Sequence, residues 1–431
     1  MKHLRVALAA AAVLAFPTCV HATHGYFAYG YGTQAKGMGG AGVALPLDSV
    51  QAAVNPAGMV YLGNRFDVGA GLFSIRPQYK VTGNPSGAAH TFPLVPESVS
   101  GKRDFILAPN AGWNHMIDPR GSVGVSIYTN GGANTKYPAS AGGGRGSFYA
   151  GPTGVKLKQL FIQPSYSRMI GEKASFGLGL PFAIQWFGAD GLGSFAPFVA
   201  DGVANHLTNM GTKASTGMGF KVGVQGEAAE GLTLAASYQS KISMKRYKDY
   251  EDLMAQRGKV DVPATGTIGL AYKCAPASVV AFDIQKIWYS KVPSLANPFA
   301  NVYGFEAGDP TKGLGGENGI GLGWKDVTVF KLGYQAKTSE DMTWRAGISY
   351  GKEPIRASEV FFNLIAPGVN EMHYTVGATK TLKKGGEVSF SAMFAPTRKV
   401  TGYNPLEAPG QQTIQLRQGE VGLEVAYGRK L

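Results

Sequence analysis

The chain has few charged residues, and beyond its N-terminal segment it has no long hydrophobic run. Asp, Glu, Lys and Arg make up 16% of the 431 residues, whereas soluble globular proteins average about 25%. No stretch reaches the roughly 20 apolar residues that a membrane-spanning helix needs. A mean hydropathy of −0.05 is typical of a transmembrane β-barrel, because lipid-facing and lumen-facing residues alternate and their hydropathies cancel. The competing class at this point is a large soluble β protein.

The apolar run at the N-terminus is short. Lys2 and Arg5 precede an apolar stretch from Val6 to Phe16, and the triplet Val20-His21-Ala22 follows it. This order is typical of a secretory signal peptide with its cleavage site. We therefore expect residues 1–22 to be a signal peptide that is removed on export.

Residue patterns for disulfides, catalysis and nucleic-acid binding are missing as well. Cleavage would remove Cys19, and Cys274 alone cannot form an intramolecular disulfide. The histidines are scattered, with no His-Glu-x-x-His pair and no Gly-x-Ser-x-Gly motif. The net charge of +13 comes from Lys and Arg residues spread in runs no longer than two, so no basic footprint for nucleic acid is formed. We expect that the protein binds no cofactor or metal and that it is not an enzyme.

Beyond residue 65 the sequence consists of segments in which apolar and small or polar residues alternate. The segment Leu232 to Gln239 shows this pattern, which places successive side chains on opposite faces of a strand. Fourteen such strands are predicted, at 65–79, 103–117, 121–130, 155–170, 173–187, 214–229, 231–245, 259–273, 277–290, 325–336, 342–353, 371–383, 386–399 and 413–431.

The connections between these strands alternate between short and long, which distinguishes a barrel from a soluble sandwich. Short periplasmic turns opposite long extracellular loops, with an even number of strands, are typical of outer-membrane barrels. In lipid every backbone polar group needs an internal partner, so the sheet must close. The sequence therefore predicts an all-β fold, a transmembrane antiparallel β-barrel of about fourteen strands over residues 65–431, in the outer membrane of a Gram-negative bacterium.

Four tryptophans lie near predicted strand ends, where aromatic girdles meet the two membrane surfaces. We assign this role to Trp113, Trp288, Trp324 and Trp344.

The segment before the first strand, residues 23–64, is rich in glycine and does not alternate. A barrel of fourteen strands would otherwise hold water, so we expect this segment to lie in the lumen as a plug. The alternative is a flexible extension.

Several blocks of the chain resemble the FadL/TodX family of outer-membrane channels for fatty acids and other hydrophobic compounds. These are Gly37–Gly42, Asn55-Pro56-Ala57, Asn130–Tyr137, Ser175–Gly179 and Trp324-Lys325-Asp326. Each block alone is a weak signal, but their order and the strand count together are fairly specific, and the resemblance covers essentially the whole mature chain.

The resemblance implies a fourteen-stranded barrel with an N-terminal hatch and a gap in the wall, made by an inward kink of the third strand, through which the ligand leaves sideways. The gap would lie at Asn130, Gly131, Gly132 and Asn134, where glycine and asparagine tolerate an irregular ladder. These residues could equally begin an extracellular loop. The hatch residues implied are Gly37, Gly39, Gly40, Gly42, Asn55, Pro56 and Ala57.

The resemblance also implies a hydrophobic groove in the loops after the fifth and seventh strands. An equally plausible alternative is a loop core packed on its own side chains. The matching residues are Leu192, Phe195, Phe198, Val199, Leu207, Met210, Leu253 and Met254.

One position departs from the family pattern. Fatty-acid channels of the family are expected to hold the carboxylate with basic side chains, one of them soon after the fifth-strand block. The aligned position here is Trp186, and no Arg or Lys lies between Ala174 and Thr212. This favours a neutral hydrocarbon or aromatic compound over a fatty acid.

The function that follows is passive uptake of a hydrophobic small molecule by a channel that we expect to be a monomer in contact with outer-membrane lipid and lipopolysaccharide. The alternatives are a water-filled general porin and, from a third class, an outer-membrane lipid-modifying enzyme.

Overall fold

A computed structural model describes residues 24–431, so the predicted signal peptide lies outside the described residues. The described chain forms a single antiparallel sheet of fourteen strands that closes on itself. Closure pairs the first strand with the last, from Arg65 opposite Lys430 to Ile75 opposite Glu420. The predicted barrel is therefore confirmed. Within the described residues, no helix has the length and apolar character needed to cross a membrane.

Several of the fourteen strands are interrupted once along their length. In chain order they are β1, Arg65–Ile75 with Gln78–Thr82; β2, Ser98–Ser100 with Asp104–Asp118; β3, Gly121–Tyr137; β4, Thr153–Ile170; β5, Ala174–Gly179 with Phe182–Asp190; β6, Lys213–Met218 with Lys221–Ala229; β7, Leu232–Gln239 with Ser243–Met244; β8, Thr265–Ala275; β9, Ser278–Ile287; β10, Val327–Lys337; β11, Met342–Gly351; β12, Met372–Thr381; β13, Gly386–Tyr403; and β14, Thr413–Lys430.

The helices are short and lie in the hatch and the long loops. The α-helical segments are Thr33–Lys36, Ala141–Gly144, Ala255–Gly258, Pro293–Ala296 and Asn301–Glu306, and the 3₁₀ segments are Gln51–Ala53, Pro56–Tyr61, Gly193–Phe198, Lys248–Tyr250, Tyr289–Lys291, Pro310–Lys312, Ala357–Glu359 and Phe362–Ile365.

Apolar side chains cover the outside of the barrel, and polar side chains face the lumen. On β14, Val421, Leu423 and Val425 are about half exposed on the outer face, whereas Glu420 and Glu424 point inward and are buried. The period-two pattern in the sequence arises from this division, because a strand directs successive side chains to opposite faces.

Two expectations from the sequence are wrong in detail. β3 continues to Tyr137 and is paired with β4 along this length, so residues 130–134 belong to a strand and do not begin a loop. The glycine-rich composition of this stretch gives no strand pattern in the sequence, but pairing with β4 stabilises the strand. Trp324 is not in a girdle: it is 3% exposed, and its indole N–H donates to Asn363 Oδ1 at 2.7 Å.

Residues 24–64 lie inside the barrel as a hatch and are anchored to carboxylates of the wall. The Lys36 ammonium is 2.5 Å from Glu424 of β14, and Glu424 also accepts from Thr33 Oγ1 at 2.6 Å. The backbone N–H groups of Gly42 and Val43 both donate to Asp283 of β9. Irregular buried backbone needs such acceptors, because it has no ladder of its own.

The wall makes room for the hatch with glycine. A Cβ built on Gly223 of β6 would lie 1.9 Å from Asn55 Oδ1, and one on Gly347 of β11 would lie 2.1 Å from the carbonyl carbon of Met38. At both glycines the hatch therefore lies directly against the backbone of the wall.

Loss of Glu424 should loosen the hatch. E424A leaves the Lys36 ammonium buried without its carboxylate, and such a loss destabilises by about 3–5 kcal/mol. We expect the folded form to convert to the unfolded gel band at a clearly lower temperature. The matched control is K36M/E424M, which removes both charges and should be more stable than E424A. Equal stability of the two variants would contradict this role of the ion pair.

Candidate functional site

The wall of the barrel has a gap between β2 and β3. The two strands are paired from Asp118 and Gly121 up to Asn110 and Tyr128. The next backbone contact between them is the Lys102 N–H donating to Lys136 O at 2.9 Å. In between, no ladder pairing joins residues 103–109 to residues 129–135 in the described structure.

Pro109 and Asn130 are the local causes of this gap. The Pro109 carbonyl faces β3, where Thr129 Oγ1 lies 3.4 Å away. In an antiparallel strand the N–H and C=O of one residue point to the same side, so the N–H that proline lacks would have continued the ladder to β3. On the other side of β3 the pairing with β4 shifts at Asn130, and such a bulge bends the strand.

The hatch supplies the hydrogen bonds that β3 loses at the gap. Ala28 N–H donates to Asn130 O at 2.9 Å, and Gly132 N–H donates to Tyr26 O at 2.7 Å. Gly131 has φ +154°, and a Cβ on it would lie 1.9 Å from Tyr26 O. We call residues 24–30 the hatch arm. The arm can pair with β3 only because residue 131 has no side chain.

An apolar cavity of about 50 Å³ lies beside the hatch arm. Its walls come from the arm, β3, β4, β5 and the long loops, and no charged residue lines it. Two of its polar groups have other partners, since Ser294 Oγ donates to Lys259 O at 2.5 Å and the Trp324 indole donates to Asn363. Burial raises the pKa of the Tyr26 hydroxyl, so this group stays neutral. Its lining includes Ala133, Leu157, Phe187 and Trp324.

A narrower passage runs from this cavity towards the wall gap. Ala133, Trp324 and Ala366 line both spaces. The passage continues along Thr135 of β3 and Ile75 of β1, and its free volume is only about 10 Å³. The passage is therefore nearly closed in this conformation.

The space on the barrel's β6 to β10 side has the opposite polarity. A cavity of about 20 Å³ is lined there by Lys221, Asp283 and Lys331, with Gly30 and Tyr31 of the hatch beside them. The Lys221 ammonium donates to Ala53 O. The lumen thus contains an apolar region next to β3–β5 and a charged region next to β6–β10.

The residues predicted to form a loop groove are mostly buried in a core beneath the loops. Leu192, Phe195, Val199, Leu207 and Leu253 are at most 2% exposed, while Phe198, Met210 and Met254 are partly buried against the same cluster. Leu253 and Met254 line the cavity. Phe195 packs on rings from other loops, Phe92, Phe148 and Phe361. The structure therefore brings these residues together as a cap and not as an open groove.

The predicted hatch residues Gly37, Gly39, Gly40, Gly42, Asn55, Pro56 and Ala57 are all buried in the lumen. Asn55 organises one turn, because Nδ2 donates to Val43 O at 2.9 Å and Oδ1 accepts from Ala57 N–H at 3.0 Å. The predicted opening residues Asn130, Gly131, Gly132 and Asn134 all lie on the part of β3 that has lost β2 as a partner.

Sequence reasoning missed Pro109, Phe187 and the true position of Trp324. An interior proline in a predicted strand was a usable signal, because proline is confined to strand edges and bulges. Trp186 faces outward, and its neighbour Phe187 is the inward residue that lines the cavity. No signal in the sequence places Trp324, since its burial depends on loops far apart in the chain.

Comparison with known proteins identifies the family of this chain. The family described as Outer membrane protein transport protein (OMPP1/FadL/TodX) matches residues 21–416. The chain belongs to this family. An OMPP1/FadL/TodX protein is an outer-membrane β-barrel that transports hydrophobic compounds, so the long loops are extracellular and the short turns are periplasmic. No curated protein matches the sequence.

Three solved structures show the same fold at low identity. A Pseudomonas aeruginosa FadL homologue is 16% identical with a TM-score of 0.67, covering 94% of this chain and 99% of that one. The P. putida toluene transporter TodX is 16% identical with a TM-score of 0.64, covering 94% and 99%. The Ralstonia pickettii toluene transporter TbuX is 15% identical with a TM-score of 0.62, covering 94% and 99%.

Adding a side chain at Gly131 should detach the hatch arm from β3. G131A would clash with Tyr26 O and break the two backbone hydrogen bonds, so amide hydrogen exchange of residues 24–30 should rise at least tenfold. The matched control is G171A, at a turn glycine that also has positive φ but where a Cβ meets nothing within 4 Å. Unchanged exchange in a folded G131A protein would show that the arm is held by other contacts.

Proposed function

We propose that the chain carries small, neutral hydrophobic molecules inward by passive diffusion and releases them sideways through the gap between β2 and β3. The observation that carries the proposal is the continuity of the apolar cavity with the passage to this gap, through Ala133, Trp324 and Ala366. An apolar solute gains about 25 cal/mol per Å² of surface removed from water. A path from the cavity to the outer leaflet keeps the ligand out of bulk water, because Ile75, Ala133 and Ala366 line the passage beside its polar residues.

The loop cap is the proposed place where the ligand enters. Leu253 and Met254 belong both to the apolar core of the extracellular loops and to the cavity lining. A ligand that parts the side chains of the cap therefore moves from one apolar surface to the next. The partly exposed residues of the cap, Phe198, Met210 and Met254, would provide the first contact.

Exit through the bottom of the lumen is disfavoured by the hatch. The hatch backbone donates to Asp283, and the Lys36 side chain of the hatch pairs with Glu424. Lys221 and Lys331 line the space on the β6–β10 side. An apolar molecule crossing this region would have to separate charged groups from their partners, and broken buried ion pairs are costly. The sideways path breaks none of these contacts.

The chemistry of the cavity favours a neutral ligand. A carboxylate buried without a cation or hydrogen-bond donors is strongly disfavoured, and the cavity lining has no charged residue. Two solved relatives, TodX and TbuX, are described as toluene transporters, which supports a small aromatic or hydrocarbon ligand here as well.

The other two function classes find less support. A general porin needs an open aqueous lumen, which the hatch fills, and single-channel conductance would distinguish the two. Among the described residues one group, His206, Glu251 and Asp252, has the composition of a metal site. Its carboxylates have partners, because Glu251 pairs with Arg257 and Asp252 accepts from the backbone N–H of His206. His24 and His373 both lie within hydrogen-bond distance of Ser349 Oγ, but all three residues are buried and none of them lines the cavity or the passage.

Blocking the passage tests lateral exit. Thr135 lines the passage and not the cavity, so T135W should lower uptake of radiolabelled toluene by cells at least tenfold and leave equilibrium binding of toluene to purified protein within about twofold. The control is T216W, at a half-buried threonine on the outer face of β6. Normal uptake by a folded, surface-localised T135W variant would rule out this exit.

A cation placed in the cavity tests the class of ligand. F187R adds a permanent positive charge to an apolar lining, so toluene binding should fall at least tenfold and octanoate binding should rise. F187L is the control for altered volume, and it should keep the preference for toluene. If the unaltered protein bound octanoate as tightly as toluene, the proposal of a neutral ligand would be wrong.

A further inference from the structure

Three lysines that form no ion pair in the described part of the chain face outward beside the wall gap. Lys136 lies on β3, and Lys156 and Lys158 lie on β4; Lys136 and Lys156 are exposed and Lys158 is half-buried. We call them the lysine patch. No carboxylate forms an ion pair with any of the three in the part of the chain that the structure describes, whereas Arg168, at the other end of β4, pairs with Asp118 at 3.0 Å. Arg103, on the β2 side of the gap, is also exposed.

The lysine patch lies at the height of the outer headgroups. Between Arg168 and Lys158 the outward side chains of β4 are Tyr166, Pro164, Ile162 and Leu160, which are all apolar or aromatic. Ten residues of a strand tilted by about 40° rise about 25 Å, the height of the lipid-facing band of an outer-membrane barrel. If Arg168 marks the periplasmic surface of the bilayer, Lys158 marks the external one.

Each lysine has a glycine opposite it on one neighbouring strand. Gly154 is opposite Lys136, and Gly132 is opposite Lys158. On the other side of β4, Gly188 of β5 is opposite Lys156. Asn134 lies opposite Lys156 on β3, and Trp186 lies opposite Lys158 on β5. Each lysine is therefore open on its glycine side, where a bulky anionic group can reach it from the membrane.

Like charges on neighbouring positions of a sheet repel each other and are destabilising. Lys136 and Lys156 are diagonal neighbours across the β3–β4 pair, and Lys156 and Lys158 lie on the same face of β4. This repulsion is relieved when an external anion lies between the ammonium groups. Lysine binds phosphate as a point charge, and a group at this height beside a lipid-facing wall belongs to a lipid.

We propose that the lysine patch binds the phosphate groups of an outer-leaflet glycolipid. The acyl chains of the bound lipid would then lie along the apolar outer face of β4, next to the gap between β2 and β3. The site is separate from the cavity and the passage, and its existence does not depend on the proposed transport function.

The test compares lipid binding by two triple variants in detergent, with native mass spectrometry as the readout and diphosphoryl lipid A as the probe. K136Q/K156Q/K158Q removes the patch. K337Q/K383Q/K384Q removes three exposed lysines from the periplasmic turns and is the matched control. Each lysine near an anionic lipid contributes about fivefold in affinity, so the patch variant should bind lipid A at least tenfold more weakly and the control within about twofold of the unaltered protein.

Further arms identify what the site recognises. K136R/K156R/K158R keeps the charges and should retain lipid A binding, and phosphatidylethanolamine, which has no net charge, should bind weakly to every variant. Inorganic phosphate at millimolar concentration should not displace lipid A. The proposal is overturned if the patch variant, shown to be folded by its gel migration, binds lipid A normally, if both triple variants lose binding equally, or if inorganic phosphate alone binds and displaces the lipid.

Discussion

The hydrogen bonds between the hatch arm and β3 are the contact on which the rest of the structure depends. In a bilayer each backbone N–H and C=O must find a partner within the protein, and a strand that leaves its neighbour exposes a row of them. Ala28 and Tyr26 provide partners for Asn130 and Gly132. The wall can therefore be open between β2 and β3 without leaving these groups unpaired, and the plug and the gap depend on each other.

A second constraint is the division of the lumen by polarity. Asp283 on β9 accepts from the hatch backbone and Glu424 on β14 accepts from hatch side chains, whereas aromatic and aliphatic side chains from β4, β5 and the loops enclose the cavity. Because the two regions are adjacent, an apolar ligand can move through the cavity without breaking polar contacts but would break them in the charged region. Gly124 and Gly131 of β3 contribute by letting the hatch approach the wall, because a Cβ at these positions would lie 2.6 Å from Met59 Cε and 1.9 Å from Tyr26 O.

The fold was predictable from the sequence because its main determinant is local. Period-two alternation follows directly from which face of each strand meets lipid. The contrast between the turn at residues 119–120 and the loop after Tyr137 follows from the side of the membrane on which each connection lies. The upper half of β3 was not predictable by this means, since its glycines carry no alternation and its pairing depends on β4.

The predicted opening residues lie on that half, but the cavity next to it was beyond sequence reasoning. Phe187 and Trp324 meet there only after loops distant in the chain have packed, and a tryptophan near a strand end looks the same in the sequence whether it faces lipid or a loop core.

The ion pair between Lys36 and Glu424 joins positions 388 residues apart in the sequence. Contacts so distant in sequence form late, because the loop-closure entropy must be overcome before they can contribute. Glu424 lies on the last strand, and that strand also closes the barrel on β1. The N-terminal segment, although synthesised and exported first, therefore reaches its final anchor only when the C-terminal strand is in place. A chain whose last strand has not paired with β1 therefore has neither a sealed wall nor this anchor for its plug.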